Sequence, residues 1–391
     1  MSTSDTGRLR KGTLQFLLDT KSQSLRQRGI TMIRIGVVGL GFMGMIHFYA
    51  TRKVRGAKVT AICTRNPKKR NGDWRSIQGN FGPRGQKEDL SGIHQFDDID
   101  QLIHSPDVDM VDICLPCDMH REIAIAALQA GKHVFVEKSI ALEIADANAM
   151  VRAAEKSGKL LMVAHVLPYF PEFAFARSCI ESERYGKLTG AHFKRIISQP
   201  DWSSDFSDLA KTGGPAIDLH IHDTHFIRLV CGMPKSVYST GVVQDGYVQY
   251  LTTQYRFADN PNLSISASSG AIAQSGRSFN HGFEIYLENA TLLYEFSTLA
   301  GKADLTMPLS VLTQNGKVLH PKLPGPRITN TGKPQDDPSI TAFSAEIRDA
   351  VNAIQSTEEA PILSGSLARD ALLLCHKECQ SVKNSRTIKL S

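Results

Sequence analysis

The sequence predicts an α/β fold joined to an α+β one: an N-terminal doubly wound parallel sheet, then a domain of mostly antiparallel sheet with flanking helices. Three observations predict it. An apolar run rich in Ile and Val, Ile33–Val38, ends in a glycine-rich turn and runs into the apolar, helix-compatible segment Met45–Ala50, as a buried parallel strand does. Strand-like and helix-like segments then alternate to about residue 165, the pattern of parallel strands with right-handed crossovers. Past Pro168–Pro171 the pattern changes to apolar–polar runs separated by turns, which reads as antiparallel sheet.

Residues 1–31 are polar and basic, with six Lys/Arg against Asp5 and Asp19, so +4 of the net +6 lies there. They read as a disordered extension, or as an upstream start with Met32 the functional beginning. The glycines of G-L-G-F-M-G each serve a distinct purpose. Gly39 permits a tight turn, Gly41 lets the backbone approach a pyrophosphate, and Gly44 allows close helix–strand packing. Phe42 and Met43 belong to the same phosphate cradle, where a helix N-terminus offers free N–H groups. Such a strand–turn–helix is the Rossmann dinucleotide fingerprint.

The remaining elements follow in order. Lys58–Cys63 reads as a strand, Asn66–Gly92 as a long connection and Ile99–His104 as a short helix. Val108–Leu115 is a buried strand, and Arg121–Ala130 a helix closed by Gly131. His133–Glu137 is the next strand, Ala145–Ser157 a helix closed by Gly158, and Leu160–His165 a strand. In the second half a helix at Glu172–Glu183 precedes seven strand-like runs between Leu188 and Leu312, interrupted by one helix at Pro215–Val230. Residues 321–338 form a surface loop, and Ile340–Gln355 and Leu367–Val382 are helices. The expected division is 32–165 for dinucleotide binding and 166–391 for substrate and oligomerisation, with the C-terminal helices able to pack back on the first domain.

Composition narrows the class of function. No apolar run approaches the roughly 20 residues of a membrane span, and residues 32–391 are near charge balance, unlike a nucleic-acid-binding body. The seven cysteines are scattered. Cys114 and Cys117 have C-x-x-C spacing without a second pair at zinc-like distance, so no metal site is expected. With no signal peptide in view, the thiols point to a reducing, cytoplasmic setting.

Three stretches carry chemistry. At the end of the second strand Thr64 and Arg65 stand where an acid would bind the ribose of NAD, so NADP is expected in preference to NAD. Glu137-Lys138 lie at the carboxyl end of a strand, where ligands bind in such sheets. In G-G-P-A-I-D-L-H-I-H-D-T-H, one helix from Pro215 would put Asp218, His222 and His225 on one face, with the carboxylate orienting an imidazole base. Pro116 and His120 follow the strand beside the expected nicotinamide. A substrate pocket would draw on His165, Tyr169, Trp202, His225 and Lys194 or Arg195, polar and aromatic groups suited to a polyol or pyranose.

Together these motifs resemble the Gfo/Idh/MocA family, the glucose–fructose oxidoreductase and inositol dehydrogenase group. The family pattern is a Rossmann fingerprint, a strand-end Pro with a following His, Glu-Lys-Pro, then Asp-x-x-x-His on a second-domain helix. Here stand Gly39, Gly41 and Gly44, Pro116 with His120, Glu137-Lys138, and Asp218 with His222, with Ser139 in place of the family's Pro. The resemblance implies an NAD(P)-dependent sugar, cyclitol or polyol oxidoreductase. Lys138 would orient the substrate hydroxyl, His222 would take its proton, and Asp218 would position both. Glu137 and His120 would line the nicotinamide ribose. It also implies a homodimer or homotetramer through the C-terminal sheet. The same family includes NAD-assisted glycosidases and lyases and non-catalytic dinucleotide-binding regulators.

Overall fold

A computed structural model describes residues 31–79, 81–198, 208–324 and 338–390. The expectations for residues 1–30, for Trp202 and for most of the 321–338 loop fall outside them. Six strands form the first sheet: β1 (Ile33–Val38), β2 (Ala57–Cys63), β3 (His94–Phe96), β4 (Met110–Ile113), β5 (His133–Glu137) and β6 (Leu161–Ala164). Their order is β3-β2-β1-β4-β5-β6, and every pairing is parallel. Parallel strands need covered faces, which is why β1, β4 and β5 are almost wholly buried. The order reverses between β1 and β4, so their carboxyl ends diverge into a crevice, the ligand position of open α/β sheets.

The helices are α1 (Phe42–Thr51), α2 (Ile99–His104), α3 (His120–Gln129), α4 (Ile144–Ser157), α5 (Pro171–Glu181), α6 (Pro215–Asp218), α7 (Ile221–Cys231), α8 (Pro338–Ser356) and α9 (Gly365–Asn384). Two further single-turn helices span Pro67–Arg70 and Leu209–Thr212. Gly158 caps α4 at φ +66°, a left-handed conformation cheap for glycine. Neither α8 nor α9 is long and apolar enough to cross a membrane, nor is any other described helix.

The second sheet has nine strands. In chain order they are β7 (Leu188–Ser198), β8 (Ser236–Gln244), β9 (Tyr247–Arg256), β10 (Ser264–Ala273), β11 (Arg277–Leu287), β12 (Ala290–Leu299), β13 (Lys302–Thr313), β14 (Val318–Leu319) and β15 (Ile388–Lys389). Across the sheet they run β14-β13-β12-β11-β7-β10-β9-β8-β15. It is antiparallel except where β10 lies parallel to β7.

Two features position the site. First, the C-terminal helices clamp the parallel sheet. Phe343, Ile347 and Val351 of α8 share a core with Ile35, Met45 and Phe135. Ala368, Leu372 and Cys375 of α9 share another with Val111, Val134 and Val136. Because side chains alternate along a strand, these are opposite faces of the sheet.

Second, the helix expected over Pro215–Val230 is broken into α6 and α7 around Leu219–His220. The His220 amide donates to the Pro215 carbonyl, five residues back, and the His222 amide donates to Leu219. Such a π-type step is an irregularity that frequently marks functional sites. It ends the regular helical register on which one shared face for Asp218, His222 and His225 depended, and it leaves the Asp218 carbonyl outside the i→i−4 ladder.

Candidate functional site

The crevice begins at the glycines. Gly39 has φ +93°, and a side chain there would overlap the Cys114 carbonyl. A Cβ on Gly44 would overlap the Gly39 carbonyl oxygen, so close helix–strand packing requires glycine. A Cβ on Gly41 would meet nothing within 4 Å, so this backbone faces open space at the start of α1. Phe42 and Met43 beside it are half-buried, and the Phe42 ring packs edge-on against Phe81 at 4.8 Å.

Thr64 and Arg65 follow the end of β2. The Thr64 hydroxyl accepts from the Asn66 amide at 3.3 Å, and Asn66 caps the turn Pro67–Arg70. Two of the nearby cations are committed: Lys69 Nζ donates to the Leu40 carbonyl at 2.9 Å, and Arg70 pairs with Asp97 at 2.8 Å. Arg65 is exposed and forms no ion pair among the described residues.

At the end of β5, Lys138 Nζ donates to the Asp218 carboxylate at 2.5 Å and to the Asp218 carbonyl at 2.8 Å. That carbonyl is free to accept because of the step between α6 and α7. The Lys138–Ser139 peptide is cis. His222 sits in the first turn of α7, half-buried. Burial first, then the charges of Lys138 and Arg195, hold its imidazole well below the ordinary histidine range. It is therefore neutral near pH 7, the form able to take a proton.

His165 is fully buried, stacked on His225 at 3.9 Å and edge-on to His222 at 6.5 Å. Both His165 nitrogens lack a hydrogen-bond partner among the described residues. His225 Nε2 contacts the Ile362 carbonyl at 3.1 Å, and burial pushes its imidazole down to about 3. The Tyr169 hydroxyl donates to Asp349 of α8 at 2.5 Å. Arg195 is buried in a bidentate pair with Asp223, both bonds 3.0 Å, and Lys194 pairs with Glu295 at 2.7 Å. Of the expected polyol-facing groups, Tyr169, Lys194 and Arg195 thus have protein partners.

Pro116 is exposed beyond β4, whereas His120 is buried, with ring nitrogens 2.9 Å from the Ser139 and Leu115 carbonyls. It ties the segment after β4 to the one after β5. Glu137 turns inward: one oxygen accepts from the Lys138 amide at 3.0 Å, and the other stands 3.0 Å from His47 Nε2. The second contact has ion-pair distance but lies outside hydrogen-bond geometry.

Sequence reasoning missed His47 and its partner Asp112. His47 Nδ1 lies 3.0 and 3.1 Å from the two Asp112 oxygens and 3.4 Å from Cys114 Sγ. The donor atoms of His47, Asp112 and Cys114 gather within 4.8 Å, a set able to hold a metal ion, although in this arrangement they satisfy one another. The signal was present: a charged residue inside a buried strand, V-D-I, and a histidine on an apolar helix both require partners.

Comparison with known proteins gives a matching family for each of two stretches of the chain. Residues 33–165 match the oxidoreductase family with NAD-binding Rossmann fold, and residues 173–293 match the GFO/IDH/MocA C-terminal domain. The chain is 30% identical over 212 residues to myo-inositol 2-dehydrogenase of Thermotoga maritima, a match covering 54% of this chain and 59% of that protein. It is 25% identical over 367 residues to inositol 2-dehydrogenase of Rhizobium meliloti, covering 92% and 99%. Among solved structures, an oxidoreductase from Agrobacterium radiobacter in complex with NAD+, L-tartaric acid and magnesium aligns with TM-score 0.71 at 19% identity, over 92% of this chain and 98% of that one. Apo scyllo-inositol dehydrogenase from Lactobacillus casei aligns with TM-score 0.66 at 19% identity, over 92% and 98%. These structural likenesses speak to the fold.

Proposed function

The chain belongs to the Gfo/Idh/MocA oxidoreductase family, and from that premise we propose that it moves a hydride between a nicotinamide dinucleotide and a secondary hydroxyl or carbonyl of a sugar, cyclitol or related polyol. Residues 32–165 would hold the cofactor and 166–391 the substrate. One observation carries the reading. An ammonium has three N–H donors, and Asp218 accepts two from Lys138. The third remains for a substrate oxygen beside neutral His222.

The open backbone at Gly41, with the forced glycines at 39 and 44, fits a pyrophosphate. Gly39, Gly41 and Gly44 would hold the phosphates, with Thr64 and Arg65 at the adenosine end. When bound, the nicotinamide supplies the hydride acceptor or donor. Lys138 then donates to the reacting oxygen and stabilises charge developing on it, while His222 removes the hydroxyl proton, or returns it in the reverse direction. Asp218 holds Lys138 in place. Exposed Arg65, which forms no ion pair among the described residues, favours NADP over NAD. Apolar side chains exposed on the second sheet, among them Val242, Ile272 and Leu305, support assembly of copies through that sheet. Seven free cysteines favour a reducing, cytoplasmic compartment.

The test is a panel of polyols and sugars followed at nicotinamide absorbance, with NAD and NADP in parallel. Lys138→Ala and His222→Ala should each lower kcat by roughly 10²–10⁴ while cofactor binding persists. Unchanged turnover in both variants would sink the assignment. Product formed without net reduced cofactor would favour a hydride-returning lyase or glycosidase.

A further inference from the structure

His47 lies where neither the fingerprint nor the proton transfer calls for it. It occupies the second turn of α1, fully buried between the rings of Phe135 (5.5 Å) and Phe343 (6.0 Å). One ring nitrogen faces Asp112 of β4 and the other faces Glu137 of β5, each at 3.0 Å. Two carboxylates at ion-pair distance favour the charged ring, although of the two only Asp112 makes a hydrogen bond to it. Burial opposes that charge, but Asp112 and Cys114 outweigh it and lift the imidazole well above its ordinary range. The remaining ionisable neighbour is Glu346 of α8, whose oxygens have no hydrogen-bond partner among the described residues. Burial holds its carboxyl well above the usual range, although His47 pulls the other way.

The consequence reaches the surface through one residue. The Glu137 oxygen not facing His47 accepts from the Lys138 amide, so the carboxylate fixes the backbone from which the Lys138 side chain departs. We propose that His47 is a positioning residue, which by pinning Glu137 sets where the Lys138 ammonium meets Asp218 and the substrate. This rests on the reading of Lys138 as substrate-facing, but its geometry does not depend on which substrate is used.

The test therefore has one arm that needs no substrate. The intact chain is treated with a dilute acetylating reagent, and Lys138 modification is compared by mass spectrometry with that of exposed Lys58. In the wild type the pair with Asp218 protects Lys138. His47→Phe keeps an aromatic ring against Phe135 and Phe343, and Glu137→Gln leaves His47 in place should the first variant fail to fold. Each should raise the Lys138:Lys58 ratio several-fold, and in His47→Phe the Kd for the dinucleotide should hold. An unchanged ratio in a folded variant overturns the proposal.

The second arm is turnover. Each single variant should lower kcat by about tenfold to a hundredfold, as small misplacements of a reacting group do, with KM little altered. Because His47 acts through Glu137, the double variant should lose no more than the worse single one. Independent, additive losses would overturn the proposal. If the ratio rises but the wild type turns over no polyol, the assigned activity fails and the positioning role stands.

Discussion

His47 and His220 have carboxylates against their rings, whereas His165, His222, His225 and His281 have none among the described residues. The burial is alike: His47, His165, His220 and His225 are all at 0% exposure. The charge is opposite. Glu378, 2.7 Å from His220, raises that imidazole against the effect of burial, as Asp112 does for His47. In the other group no carboxylate opposes burial, which outweighs the Ile362 carbonyl at His225, and cations such as Lys138 and Arg195 add to it at His222 and His281. Sequestration alone does not set the ionisation of an imidazole; the partner decides it. The molecule uses the paired kind as framework and the unpaired kind around the proposed reacting centre, where a neutral base is needed.

The comparison can be broken at Arg195, where the largest effect is expected. Arg195→Met leaves Asp223 fully buried without its bidentate partner, a loss of about 3–5 kcal/mol. It also removes a cation that depresses His222 and His281. Urea unfolding reads the first effect; a rise in the acidic limb of the turnover profile reads the second.

Acid should sharpen the contrast. His225 is depressed to about 3 in the fold, so below the ordinary value near 6.5 the unfolded chain binds a proton that the native chain does not. Its contribution is complete above pH 6.5 and falls as pH drops, by about 2 kcal/mol at pH 5. His47 and His220, raised in the fold, run the other way: their contribution is full below 6.5 and is lost as pH climbs through their folded values. Stability measured at pH 5, 6 and 7 should therefore slope less in His225→Leu than in the wild type. Equal slopes would mean that His225 is not held neutral.

The smallest effect belongs to His165. Its nitrogens are buried and unpartnered among the described residues, and such groups cost about 1–3 kcal/mol. His165→Phe keeps the stack on His225 and should leave thermal stability unchanged or raise it by about 1 kcal/mol. A larger loss would mean that those nitrogens have partners.

Much of this was legible because it is local. Strand–helix alternation located β5 at His133–Glu137 and the cap at Gly158, and the glycine spacing found the tight turn into α1. What stayed hidden depends on distant chain. The period of 3.6 continues through Leu219–His220, so nothing in it marked the step that frees the Asp218 carbonyl. Lys194 and Arg195 are adjacent and alike in charge, and only the fold pairs one with Glu295 and buries the other against Asp223. His47 looked like one polar residue on an apolar helix, because Asp112, Glu137 and Glu346 come to it from three other elements.

The packing of α8 against α1 bears on how the chain is made. Ile35, Met45 and Phe135 are synthesised early, yet the core they enter is completed by Phe343, Ile347 and Val351. A nascent chain carrying only the parallel sheet exposes that apolar face to whatever else is in the cell. Vectorial synthesis thus leaves the parallel sheet dependent for closure on Pro338–Ser356, which leaves the ribosome long after it.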